Sequence, residues 1–314
     1  MEIDWDVAVV GGSFSGLSAA LMLVRSRRRV VVIDAGAPRN RSAAHMHGVL
    51  GHDGRSPLAL LADGRREVER YGGTIRSGSA ISATRDDGGF TLRLDNDEAL
   101  RARRLIVATG VRDELPAIEG LAEQWGRGVV TCPYCDGWEA RDTRIGILAT
   151  GPFSTHQAQL LRQLSSHVTY LANEIEVPSD QVRALEDRDI EIVTGRVTCV
   201  RTVDGALAGV SLDDGRDADL DIIFIASRMV PNDGLLDGLG VERAQTPFDA
   251  FPRTDAMGAT SVSGVWAIGN AANAMANVPV AMGAGSFAGA AVNMDLVTAE
   301  IARALETRAM AETA

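Results

Sequence analysis

The chain has 314 residues, 46% hydrophobic and 23% charged, enough for two compact units and unlike the composition of a disordered protein. Its 42 acidic residues against 31 basic ones give a net charge of −11, an acidic surface that argues against nucleic acid or anionic membranes as partners. Every basic residue is arginine, and there is no lysine.

The opening stretch "MEIDWDVAVVGG" runs straight into a strand and a glycine turn without the charged and apolar regions of a signal peptide, so a cytoplasmic location is expected. The segment "DVAVVGGSFSGLSAALMLVRSRRRVVVIDAG" reads as strand, glycine turn, helix and strand, a βαβ dinucleotide unit. Its fingerprint is Gly11-Gly12-Ser13-Phe14-Ser15-Gly16, with serine in place of the middle glycine, and Asp34 closes the second strand. Backbone amides at the helix start would cradle a pyrophosphate, and the Asp34 carboxylate would accept from a ribose.

The next loop, "AAHMHGVLGHDG", gathers His45, His47 and His52. No cysteine or strong carboxylate set accompanies them, so no metal is expected; lining of a substrate pocket or acid/base work fits better. Hairpin-like stretches follow near "FTLRLDNDEALRARRLIVATG", ending in an apolar strand and Ala108-Thr109-Gly110.

"TCPYCDGWE" places Cys132 and Cys135 two residues apart, a spacing that serves redox catalysis or half of a metal site. Tyr134 and Trp138 flank the pair, where aromatics either contact a small substrate or pack. A second strand–turn–helix–strand unit begins at "RIGILATGPFSTHQAQLLRQLSSHVTYLANE", followed by β-rich chain in which Cys199 reads as a small buried hydrophobe. The last segment is a strand, a loop and a long helix. Its uncharged stretch from Ala274 to Val292 contains Asn277, Pro279 and three glycines, which suit close packing against a ligand better than crossing a bilayer.

Taken in order, "GGSFSGLSAA", "VATG", "CPYCDG", "FIASRMVPN" and "GVWAIGN" resemble the low-molecular-weight thioredoxin reductase family over essentially the whole chain. The resemblance implies an α/β fold of two Rossmann-like, three-layer ββα dinucleotide-binding domains, the central one inserted into a split FAD domain. The expected segments are 1–116, 117–240 and 241–314. It also implies a homodimer and bound FAD, contacted by Gly11 to Gly16, Asp34, Ala108, Thr109, Gly110, Gly269 and Asn270. By the same resemblance Cys135 attacks the flavin at C4a, Cys132 exchanges with substrate, and Asp136 gives and takes the proton. The His45 and His47 loop is expected to pass near the flavin. Zinc needs two further ligands, and no second CxxC or paired histidine motif lies near Cys199.

Three departures from the family pattern stand out. The family's second glycine loop is Ala149-Thr150-Gly151-Pro152-Phe153-Ser154, in which proline removes an amide donor and phenylalanine fills space a pyrophosphate would approach. Where reductases carry arginines for a 2′-phosphate, the chain has Asn173, Glu174 and Glu176, so NADPH use is doubtful while NADH remains open through Glu174. Asn270 stands where the family has aspartate. A subgroup resembling these reductases oxidises dithiols in sulfur-containing natural products, passing electrons through CxxC and FAD to O2 with release of H2O2. The CPYC pair and the altered second loop fit a dithiol oxidase acting on a small-molecule or peptide dithiol. Asp136, in place of the histidine often found there in that subgroup, keeps an NAD(P)H-dependent disulfide reductase open, and a CxxC redox sensor is the third reading.

Overall fold

The structure, a computed structural model, describes residues 3–313. The chain divides into two compact units. The first comprises the chain through Arg41, Leu58–Arg112, and the chain from Met229 onward.

In this unit β1 (Trp5–Val10), α1 (Phe14–Arg25) and β2 (Val30–Asp34) form a right-sized βαβ beginning, with β1 parallel to β2 from Val7–Val30 to Val10–Ile33. The strands are valine-rich runs without alternation because both faces of a parallel sheet are covered, and Val7, Ala8, Val9, Val31 and Val32 are fully buried. On its other side β1 pairs in parallel with Ala99–Val107, whose far end receives Val265–Ala267, also parallel. The antiparallel hairpin Ala80–Asp86 and Gly89–Leu94 extends the sheet.

The helix Val278–Thr313 crosses α1 through small residues. A Cβ at Gly285 would lie 2.1 Å from the Ser15 carbonyl oxygen, and one at Gly289 2.8 Å from that of Ala19. The same face buries Ala288, Val292 and Leu296. By length and composition this helix could cross a membrane, a test that core helices also pass.

The second unit consists of Ser42–Pro57 and Asp113–Arg228. Its parallel sheet runs in the order Glu191–Val193, Val168–Leu171, Ile145–Leu148, Ile222–Ile225, Val129–Val130. Successive residues feed opposite cores: Leu148, Ile223 and Ile225 join the cluster that includes the three-stranded sheet residues Val200 and Val210, while Ile145, Ile147 and Phe224 join Ala158 and Leu161 of the helix Phe153–Leu161. That is the three-layer ββα arrangement of a doubly wound α/β fold.

The segment boundaries differ from the sequence expectation in two places. Leu235, Leu236 and Val241 belong to the core of the first unit, so the chain returns near Arg228 rather than Gly240. The histidine loop 42–57 groups with the second unit although both its flanks belong to the first. Gly126 explains part of this, since a Cβ there would meet Ser42 Oγ at 2.2 Å.

Candidate active site

In the first unit, three loops leave the carboxyl ends of adjacent parallel strands: Gly11–Gly16 after β1, Ala108–Gly110 after Ala99–Val107, and Gly269–Asn270 after Val265–Ala267. This is where doubly wound sheets hold ligands. Close packing fixes the glycines. A Cβ at Gly11, whose φ is +109°, would stand 2.3 Å from the Ala108 carbonyl oxygen, and one at Gly16 1.8 Å from that of Gly11. Ser13 is extended (φ −95°, ψ −166°), a conformation that needs no glycine, and Phe14 and Ser15 open the buried start of α1.

The Asp34 carboxylate accepts from the Gly12 amide at 3.3 Å and the Gly36 amide at 3.1 Å. It also meets Arg65 Nη2 at 2.5 Å. Sequence reasoning missed Arg65, which projects from the helix Pro57–Arg70 and carries no motif of its own. The Asn270 amide nitrogen points to the carbonyl oxygens of Asn273, Ala274 and Ala276 at 3.0–3.1 Å. A carboxylate has no hydrogen to donate there, so asparagine holds the following loop by a contact that the family's aspartate cannot make.

The residues present fit a dinucleotide. Thr109 Oγ1 is buried without a partner, the Gly110 face is open, and the first-turn amides of α1 lie at the strand ends.

In the second unit, the edge strand Val129–Val130 delivers Thr131 and Cys132 to the carboxyl side of the sheet. The Gln157 side chain fixes this exit by donating to the Thr131 carbonyl oxygen at 2.8 Å. Cys132 and Cys135 form a disulfide spanning one short helical turn, Pro133–Asp136, and both are half-buried. The Asp136 amide donates to the Cys132 carbonyl oxygen at 3.1 Å. Gly137 is required behind the pair, since a Cβ would meet the Pro133 oxygen at 2.2 Å. Tyr134 and Trp138 are exposed, and the Arg141 guanidinium stacks 4.4 Å from the Trp138 ring. Cys199, expected to be buried, is only half-buried, a free thiol on the strand Val197–Val203.

Burial, and next the nearby Glu139 carboxylate, push the Asp136 carboxyl up to about 6, while His47 opposes them. His47 Nε2 lies 3.5 Å from Glu139 Oε1, and its Nδ1 lies 3.4 Å from Asp53 Oδ2. Asp53 in turn accepts the Gly48 amide at 2.8 Å. Of the three loop histidines, the structure brings His47 to the CxxC turn and leaves His45 and His52 exposed. Glu139 was readable as a neighbour of Asp136 one helical turn on; Asp53 had no sequence signal. Among the described residues no three His, Cys, Asp or Glu side chains gather as a metal site.

The second glycine-type loop is closed by its own side chains. Ser154, fully buried, accepts the Thr150 amide at 3.1 Å, and Thr150 Oγ1 donates to the Ala226 oxygen at 2.7 Å. Phe153 begins the helix and is 46% exposed. Beside this loop Gly151, Pro152, Thr155, Tyr170, Glu176 and Gln181 help line a cavity of about 170 Å³. Small-molecule sites usually enclose roughly 300–1,000 Å³. Asn173 is spent on the backbone, accepting the Val197 amide at 3.0 Å.

Comparison with known proteins agrees with this layout. The model for pyridine nucleotide-disulphide oxidoreductases matches residues 5–285. The chain is 31% identical to the thioredoxin reductase tcpT of Claviceps purpurea (strain 20.1), over 93% of this chain and 94% of that one. Among solved structures it is similar to HlmI, with 43% identity, a TM-score of 0.93 and coverage of 97% and 96% of the two chains. An oxidoreductase from Agrobacterium tumefaciens shares 36% identity at a TM-score of 0.88, covering 94% and 99%. The chain therefore belongs to the pyridine nucleotide-disulphide oxidoreductase family, as a thioredoxin-reductase-like, FAD-dependent disulfide oxidoreductase.

Proposed function

We propose that this enzyme is a dithiol oxidase, which converts the two thiols of a small molecule or short peptide to a disulfide and delivers the electrons to O2. The observation that carries this reading is the pairing of an accessible Cys132–Cys135 disulfide beside Asp136 with a second nucleotide loop already capped by Ser154. A substrate thiolate attacks Cys132 and expels the Cys135 thiolate; the second substrate thiolate closes the product disulfide and releases Cys132. Two S–H bonds break in the substrate, one S–S bond forms there, and one opens in the enzyme. Asp136, ionised above about pH 6, receives the protons in turn. Gly11 to Gly16, Asp34, Thr109, Gly110, Gly269 and Asn270 would hold the FAD, which when bound accepts the electron pair and returns it to oxygen as H2O2. Tyr134 and Trp138, exposed beside the disulfide, supply an aromatic surface for substrate.

Anaerobic mixing tests the reading: a dithiol alone bleaches the flavin band, and air restores it with one H2O2 per disulfide formed. Failure of every dithiol to bleach the flavin, with fast bleaching by NADH or NADPH, would replace it by an NAD(P)H-dependent disulfide reductase. That second reading is favoured by Asp136 and by the reductase names of the curated relatives. We also propose a homodimer, supported by Phe287, Met294 and Ile301, which lie exposed at seven-residue spacing along one helix.

A further inference from the structure

The CxxC turn carries a polar system that the disulfide chemistry alone leaves unused. His47 is held on both sides by acids. Its Nδ1 faces Asp53 Oδ2 at 3.4 Å and its Nε2 faces Glu139 Oε1 at 3.5 Å. Each ring nitrogen thus looks at a carboxylate oxygen, and such a gap is favourable when it holds one proton. The loop is built to keep the ring there. Met46 and Arg55 form a bridge, with the Met46 amide donating to the Arg55 oxygen at 2.9 Å, and the Gly48 amide fixes Asp53. The ring is the most covered of the three groups, with its side chain 25% exposed against 46% for Glu139 on one side and 68% for Asp53 on the other.

We propose that His47, gripped by Asp53 and facing Glu139, is a positioning residue for the CxxC chemistry that relays the substrate thiol proton from Asp136 to solvent. The proposal rests on the reading above that a dithiol reduces Cys132–Cys135. Each substrate S–H gives up its proton before its sulfur attacks, so two protons per turnover have to leave the half-buried turn, matched by the two that O2 takes up on becoming H2O2. An Asp136 that keeps the first cannot take the second. Glu139 and His47 act on it with opposite sign, the carboxylate favouring the protonated acid and the imidazolium the ionised one. Glu139 and His47 act on Asp136, and Asp53 and Glu139 face His47.

The test uses the holoenzyme with ¹³C-labelled aspartate. Infrared titration reads the Asp136 carboxyl by difference against Asp136→Asn. His47→Asn is expected to move the midpoint up and Glu139→Gln to move it down, each by roughly one pH unit. In parallel, rapid quenching with an alkylating agent follows reduction of the disulfide by dithiothreitol. His47→Asn is expected to slow it roughly 10–100-fold at neutral pH, with recovery on adding imidazole. Asp53→Asn, a surface change, should give a milder loss of the same kind. An unmoved midpoint in both His47→Asn and Glu139→Gln overturns the proposal, as does a slowed His47→Asn enzyme that imidazole does not rescue. The infrared arm needs no turnover, so a wild type that dithiols fail to reduce would sink the oxidase reading while the role of His47 is still read.

Discussion

The Ser154 hydroxyl accepts the Thr150 amide at 3.1 Å, so the second glycine-type loop satisfies from within a donor that a dinucleotide phosphate would use. Pro152 brings no amide, and the adjoining cavity of about 170 Å³ is lined by Glu176 rather than by arginine. Neither NADH nor NADPH should therefore reduce the enzyme at a useful rate. Anaerobic stopped-flow at the flavin band should show a model dithiol at least about 100-fold faster than either nucleotide at equal concentration, a difference of about 2.7 kcal/mol in the barrier. Ser154→Ala should not restore nucleotide use, because the proline and the small cavity remain.

Asp136 makes activity and stability pull in opposite directions. In the folded protein its carboxyl titrates near 6 against an ordinary value of 3.8, so the folded state keeps a proton that the unfolded chain has lost. That contribution to stability is complete below about pH 3.8 and disappears as pH rises through about 6. Asp136→Asn should therefore stabilise the protein at pH 7.5 by about 1–2 kcal/mol, allowing for the part of the group that stays wetted. The same variant should lose roughly 10²–10⁴-fold in disulfide reduction and lose the acidic limb near pH 6. Thermal unfolding at two pH values and the rate profile check both.

At Asn270 the amide donates toward three carbonyl oxygens. Asn270→Asp would turn those attractions into repulsion between oxygens. We expect a loss of about 1–3 kcal/mol and weaker retention of flavin, read as a lower ratio of flavin to protein absorbance after dialysis. Unchanged retention would mean that the loop finds other partners.

Gly285→Ala places a Cβ against the Ser15 carbonyl in the first turn of α1. Pushing the two helices apart should cost about 1–3 kcal/mol and disturb the start of α1 together with it. Circular dichroism melting and flavin content should fall in step. At Gly283 nothing lies within 4 Å, so Gly283→Ala is the control and should leave both unchanged.

Much of the fold was legible because the signals are local. The valine runs, the Gly11–Gly16 turn and the acid at Asp34 each lie within one βαβ stretch, and two such stretches announce a doubled α/β fold. The site was less legible. Nothing local joins Asp34 to Arg65 or brings His47 to act on Asp136; folding brings together segments distant in sequence. Loop 42–57 was assigned by continuity to its neighbours in sequence, whereas packing places it with the CxxC unit. The Ser154 hydroxyl was readable as a lost glycine but not as a replacement donor-holder, which depends on the direction of its side chain.

The CxxC unit is assembled from two stretches of chain, Ser42–Pro57 and Asp113–Arg228, made on either side of Leu58–Arg112. On the ribosome the His47 loop emerges long before Glu139 and has to wait for its partner. The CxxC turn, by contrast, joins two cysteines separated by 3 residues and can form as soon as its own stretch exists, its oxidation waiting for an electron acceptor. An unfinished unit is thus a natural stage of synthesis, with the CxxC turn and Asp136 in place and their neighbours from the earlier stretch still undocked. A fragment starting at Asp113 would freeze the enzyme at that stage, and a transplantable redox module has to carry both stretches.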